Sequence, residues 1–255
     1  MRLYSESDGA GKAVVVLHGL MGSCENWRGV RAALKDHYRV ICFDLPNHGR
    51  SPHAARFDLR SMGDAVAGSM DAAGVTQAVV IGHSLGGKVA MQMASDHAGR
   101  LRGLVVVDIS PRAFQPVQLF VLRACLQLDL ACAARRSELD AELAQFVPQR
   151  ETRDFLLKNV VRDAEGTFVW RVPLQNLIDN YHVVSDALPP AAPYAGPSLF
   201  IAGGTSPFRI RKDEALILGR FPEAQFVTVP EAGHLVHTDQ PQAFVTHVRT
   251  FLESL

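Results

Sequence analysis

The sequence predicts an α/β protein: a mostly parallel sheet flanked by helices and interrupted once by a helical insertion. Three observations carry this expectation. Short apolar, largely β-branched runs at 13–17, 40–43, 78–81 and 104–107 alternate with helix-patterned stretches at 25–37, 59–73 and 85–97. The rhythm breaks after Ser110-Pro111, and 112–181 reads as mainly helical, without a convincing buried strand. It then resumes, with strand-like runs at 198–202 and 225–229 and helical patterns at 213–221 and 242–252.

Each element has a physical reason. Continuous apolar runs of four to seven residues are what strands buried on both faces require, so the runs belong in a parallel sheet. Parallel neighbours need crossover connections, and the intervening helices supply them with right-handed sense. Within the insertion the periodicity predicts helices over 117–130 and 138–146, and the proline-rich stretch 188–197 reads as a stiff return linker. The expected division is therefore a core of 1–111 and 197–255 with a helical cap of 112–196. No internal repeat or low-complexity tract appears.

Composition narrows the function. Lys plus Arg equals Asp plus Glu at 26 each, so no net field draws the chain to nucleic acid or an anionic membrane. The opening residues carry acids and no apolar signal core, and no run approaches 18 continuous apolar residues; no membrane span and a cytoplasmic setting are expected. Cys24, Cys42, Cys125 and Cys132 contain no C-x-x-C pair and read as reduced core thiols, so neither a zinc site nor a cofactor is expected.

The chemistry concentrates in Gly82-His83-Ser84-Leu85-Gly86, which follows an apolar run and precedes a helical pattern. A strand turning sharply into a helix exposes its serine at the sheet edge, and the flanking glycines leave room for the strained turn. A serine hydroxyl is a weak nucleophile until a base takes its proton. Among the ten histidines, His234 is preferred as that base over His237, because it follows the last strand-like run at the carboxyl edge of the sheet. His18 and His83 read as turn residues explained by packing and local hydrogen bonds, and His37, His97, His182 and His247 as solvated.

The orienting acid has two candidates. The stretch 200–212 after a late strand contains no Asp or Glu, and Asp213 and Glu214 come only afterwards. Asp108 instead ends the 104–107 run, and neighbouring strands about 4.8 Å apart would bring it to an incoming His234. Asp108 is preferred, with Asp213 read as a helix-starting residue. The oxyanion formed by attack on an ester needs two donors. The amide of Leu85 is one, at a helix N-terminus, and the amide of Leu20 in His18-Gly19-Leu20-Met21-Gly22-Ser23 is the other.

These segments, with 44–52, Val107-Asp108-Ile109-Ser110-Pro111, Gly203-Gly204-Thr205-Ser206-Pro207 and Ala232-Gly233-His234-Leu235-Val236-His237, resemble the α/β-hydrolase superfamily over essentially the whole chain. The likeness is greatest to small esterases of the YbfF type and their abhydrolase-domain relatives. It implies an acid after the sixth strand of the superfamily's count, in agreement with Asp108, and a supporting role for Ser206 near the acid and histidine. It also implies an acyl-enzyme serine carboxylesterase acting on small to medium acyl esters or thioesters. Phe114, Leu119, Leu122, Trp170, Leu174, Leu177 and Tyr181 are candidates for the acyl pocket. The competing readings are C–C bond cleavage or menaquinone-pathway-type elimination by a similar triad, and a noncatalytic small-molecule receptor. The sequence says nothing of oligomeric state.

Overall fold

The computed structural model describes residues 1–116 and 118–255. The strands, in chain order, are β1 (Ser5–Asp8), β2 (Lys12–Leu17), β3 (Tyr38–Phe43), β4 (Ala78–His83), β5 (Leu101–Val107), β6 (Val160–Arg162), β7 (Phe168–Trp170), β8 (Ser198–Gly203) and β9 (Ala224–Val229). The helices are α1 (Arg28–Leu34), α2 (Leu59–Ala72), α3 (Leu85–Asp96), α4 (Leu119–Leu126), α5 (Arg136–Leu143), α6 (Arg150–Leu157), α7 (Leu174–Asp179), α8 (His182–Ser185), α9 (Glu214–Arg220), α10 (Val236–Asp239) and α11 (Pro241–Glu253). No helix among the described residues is long and apolar enough to cross a membrane.

Seven strands form one sheet in the order β1-β3-β2-β4-β5-β8-β9, parallel except for β1, which pairs antiparallel with β3 at the edge. The apolar runs are continuous because alternate residues feed two cores. Val15 and Leu17 of β2 face the layer holding Met62, Val66, Val89 and Met93 of α2 and α3. Val14 and Val16 face the layer holding Val30 and Leu34 of α1 and Phe244 and Val248 of α11.

The insertion leaves the sheet after β5, the fifth strand in chain order, where the likeness implied a sixth. It contains α4 to α8 and, unlike the mainly helical reading, a small antiparallel hairpin of β6 and β7. Three-residue strands are too short to show a period, although Gly166, in the left-handed region at φ 85°, marks the turn between them. The helix expected from 117 begins at Leu119, and Val117 lies outside the described residues. The edge strand β1 was also hidden, because Ser5-Glu6-Ser7-Asp8 is polar and solvent-facing. Cys24, Cys42 and Cys125 are buried thiols, but Cys132 is exposed on the insertion rather than in a core.

Candidate active site

Strand register assembles the site. His83 of β4 pairs with Val107 of β5, and Val107 with Ile201 of β8, so Ser84 and Asp108 each stand one residue beyond paired strand ends. Both are anchored by their own amides: Ser84 N–H donates to Val107 O at 3.1 Å and Asp108 N–H to Ile201 O at 2.8 Å. Both also sit at positive φ, 52° for Ser84 and 51° for Asp108. Such conformations persist only where the surroundings over-determine them. Here the clearance is glycine's: a Cβ on Gly82 would strike the Gly86 carbonyl, and one on Gly86 would strike the Leu17 carbonyl.

Asp108 is fully buried, a costly place for a carboxylate unless every lone pair finds a donor. Three donors reach it. Gly203 N–H donates to Oδ1 at 2.9 Å, while His234 Nδ1–H, at 2.8 Å, and the Ser206 hydroxyl both donate to Oδ2. The Ser206 hydroxyl in turn accepts from Phe208 N–H at 3.2 Å, and the Phe208 ring stacks on His234 with centroids 4.3 Å apart. His234 therefore has its ring plane, tautomer and one nitrogen fixed. No hydrogen bond joins its other nitrogen to Ser84 among the described residues, as is common before substrate binds.

The neighbouring histidines do different work. His83 Nε2–H donates to His234 O at 2.8 Å, tying the elbow to the loop that carries His234 across 151 residues of sequence. This is a longer reach than the local role expected of it. Burial, reinforced by the adjacent His234 and His237, holds His83 well below the ordinary imidazole range. His18 is buried as well; its Nε2 accepts from Leu45 N–H at 2.9 Å, so the proton sits on Nδ1 and is donated to Gly19 O at 2.8 Å. His237 is buried against Trp27, rings parallel at 4.0 Å, and burial pushes it down to about 3. Stacked on Trp27, with no partner for its Nδ1 among the described residues, His237 has no carboxylate to orient it as Asp108 orients His234.

A cavity of about 510 Å³ opens over Ser84, His234 and the 18–22 loop. Its apolar wall comes from Leu20 and Met21 of the core and from Val121, Leu122, Phe155 and Leu156 of the insertion. Of the acyl-pocket residues expected from sequence, only Leu122 lines it. Leu174, Leu177 and Tyr181 are buried in the core packing, and Phe114, Leu119 and Trp170 pack against that core. Helical periodicity marks which residues are covered, not which of them face a cavity. The Leu20 and Leu85 amides have no acceptor among the described residues.

Three polar contacts escaped the sequence reading. Lys88, fully buried two residues after the glycine pair's start, donates to Asp186 O and lies 4.9 Å from the Phe114 ring centroid, and burial lowers it to about 8. Asp213, read as a helix-starting residue, makes no cap to α9; its Oδ2 accepts from Ser110 Oγ at 2.6 Å and Arg112 Nε at 2.7 Å. Asn159, on the insertion, donates to Met21 O at 2.8 Å. Each joins segments distant in sequence, which no local pattern announces.

A parallel sheet wound with helices, a serine on a strained strand-to-helix turn and a helical insertion over its carboxyl edge together define the α/β-hydrolase architecture. The alpha/beta hydrolase fold family matches residues 12–241, and the chain belongs to that family. It is 35% identical, over 97% of its length and 83% of the relative's, to the sn-1-specific diacylglycerol lipase ABHD11 of Mus musculus. It is 31% identical to Esterase YbfF of Escherichia coli (strain K12), over 94% of this chain and 92% of that one. The solved structure of a marine microorganism esterase matches with a TM-score of 0.95 at 31% identity, covering 98% of this chain and 99% of the other.

Proposed function

We propose that the protein is a serine carboxylesterase that hydrolyses small to medium acyl esters or thioesters through an acyl-enzyme. Ser84 is the nucleophile, His234 the acid and base, Asp108 the group that orients it, and residues 112–196 the cap over the acyl chain. The observation carrying this reading is the triply bonded, fully buried Asp108 with His234 Nδ1–H held at 2.8 Å, beside a serine at φ 52°. Esterase and lipase names among the relatives support the reaction class.

In the first half-reaction His234 Nε2 takes the Ser84 proton as Oγ attacks the acyl carbon, and the carbonyl oxygen becomes an oxyanion facing the Leu20 and Leu85 amides. Asp108 stabilises the imidazolium without taking its proton. Collapse expels the alcohol or thiol with that proton and leaves Ser84 acylated. Water, deprotonated by His234, then releases the acid and restores the hydroxyl. Ser206 holds Asp108 against rotation, and Phe208 holds the imidazole plane. The cavity of about 510 Å³ lies within the roughly 300–1,000 Å³ usual for ligand sites, with an apolar wall suited to an acyl chain.

The test is a series of activated esters and matching thioesters of graded acyl length, run on the wild type and on Ser84→Ala, with an organophosphonate label for the nucleophile. Expected are a burst of alcohol release, labelling at Ser84, and loss of both in folded Ser84→Ala. Undiminished ester hydrolysis by that variant would falsify the mechanism.

A further inference from the structure

We propose that Asn159, a residue of the insertion, is a positioning residue for the oxyanion hole, aiming the Leu20 amide through two peptide planes. The inference rests on the acyl-transfer reading above and adds a dependence of that chemistry on the seating of the insertion.

The 18–23 loop is closed by a hydrogen bond from Gly22 N–H to Gly19 O at 2.9 Å, with Met21 at φ 61° in the third position of the turn. A left-handed residue there is the pattern of a type II turn, where glycine is the usual occupant. Methionine has a Cβ and gains nothing from that conformation, so other contacts must hold it. Asn159 supplies one. Its Nδ2 donates to Met21 O at 2.8 Å and, more weakly, to Leu156 O at 3.4 Å, and its main-chain carbonyl accepts from Arg171 N–H at 2.7 Å, so the backbone that carries the side chain is itself held in place. Asn159 is only 3% exposed, where an amide would be costly without partners.

Peptide geometry carries the effect onward. In a trans peptide the carbonyl and the following N–H point in opposite directions within one plane. Fixing Met21 C=O therefore fixes Gly22 N–H, which is the donor to Gly19 C=O. Fixing Gly19 C=O fixes Leu20 N–H, which has no acceptor among the described residues and lies in the wall of the cavity over Ser84. His18 Nδ1–H bonds the same Gly19 carbonyl from the core side at 2.8 Å. Two buried side chains, one from the core and one from the insertion, thus converge on one amide. Successive donation along such a chain also polarises it, so the terminal N–H becomes a stronger donor. The Leu20 amide is fully aimed when the insertion is seated.

The test compares wild type with Asn159→Leu, which removes the donor, and Asn159→Asp, which keeps size and shape but replaces the donor with an acceptor. An activated acetyl ester is the substrate, because its short acyl group touches little of the insertion. Expected is a fall in kcat of about tenfold to hundredfold with KM within about threefold, the range for a displaced rather than deleted oxyanion donor. Affinity for a trifluoromethyl ketone, which forms an oxyanion on Ser84, should fall by the same factor, while affinity for the carboxylate product stays level. Normal kcat and ketone affinity in either folded variant would overturn the proposal, as would loss of fold by both, which would assign Asn159 to stability alone. Wild-type labelling at Ser84 separates this failure from failure of the acyl-transfer reading.

Discussion

The core loops at the carboxyl end of the sheet and the 112–196 insertion both wall the cavity, yet they hold their shapes by different means. The turns that carry Ser84 and Asp108 are fixed chiefly by main chain. Ser84 and Asp108 hang from strand ends through their own amides, both at positive φ, and the Ser84 turn has the clearance of Gly82 and Gly86. The insertion returns to the core through two main-chain bonds near its end, Leu188 N–H to Pro111 O and Tyr194 N–H to Arg220 O, both at 2.8 Å, but over the cavity and along its flanks it is held by single side chains reaching across to carbonyls or carboxylates: Lys88 to Asp186 O, Asn159 to Met21 O, His53 to Arg171 O at 2.9 Å, and Arg112 to Asp213. A side-chain substitution in the core loops should therefore change chemistry and leave shape, whereas one at the insertion's anchors should change shape and leave the chemical groups in place.

The largest effect that tests this contrast is at Asp108. Asp108→Asn keeps the side-chain shape and can still accept from Gly203 N–H, but it offers His234 Nδ1 a donor and favours the wrong tautomer. We expect kcat to fall by about 10⁴-fold, following the chymotrypsin-type precedent, with the fold retained. Stopped-flow kinetics with an activated ester and a thermal melt check both halves of the claim. A variant that loses its fold along with its activity would break the contrast, because the acid would then be part of the scaffold.

Acid should strike the core side next. Burial depresses His18, His48, His83 and His237 below the ordinary imidazole range, His48 and His237 each to about 3. Because the folded values lie below the unfolded one, the unfolded chain binds more protons between about pH 6.5 and 3. The stability these groups contribute is therefore complete above about pH 6.5 and is lost as pH falls through the window. His48 and His237 alone should cost roughly 3 kcal/mol per pH unit once the pH is well below 6.5, a large share of the roughly 5–15 kcal/mol typical of a domain. Urea midpoints at pH 7, 6 and 5 measure this. A flat profile over that range would remove the buried neutral histidines from the account of the core's stability.

The same contrast explains what could be read from the sequence. The elbow was legible because its strained turn needs the clearance of Gly82 and Gly86, and Asp108 and His234 because each stands just beyond an apolar run that reads as a strand end. Ser206 was legible only through likeness, since a Ser-Pro turn has no signature of its own. Asn159, Lys88 and Phe208 left no trace, because each matters through a partner 98 or more residues away in the first two cases and through a ring stack in the third. The acyl wall was misassigned for a related reason: a helical period identifies a covered face, but the cavity takes only the part of that face that neighbouring segments leave open. The β6–β7 hairpin and β1 were missed through shortness and polarity.

The smallest effect separates the two acidic candidates. Asp213 is not placed to orient His234; its Oδ2 joins Ser110 and Arg112 at the entry to the insertion, and Arg112 also donates to Phe208 O at 3.0 Å. Asp213→Asn keeps an acceptor for both donors and loses only the charge. Partly exposed ion pairs are worth about 0–1 kcal/mol, and about 1 kcal/mol moves Tm by roughly 2–4 °C in a chain of this size. We expect a fall in Tm of that order, with kcat for a short activated ester changed by less than about threefold. The small residual effect on rate should come through Phe208, whose ring stacks on His234 and whose carbonyl Arg112 holds. If Asp213→Asn were inactive beside a near-normal Asp108→Asn, the orienting acid would belong to the loop beyond β8, and the division of labour between core chemistry and insertion anchorage would be reversed.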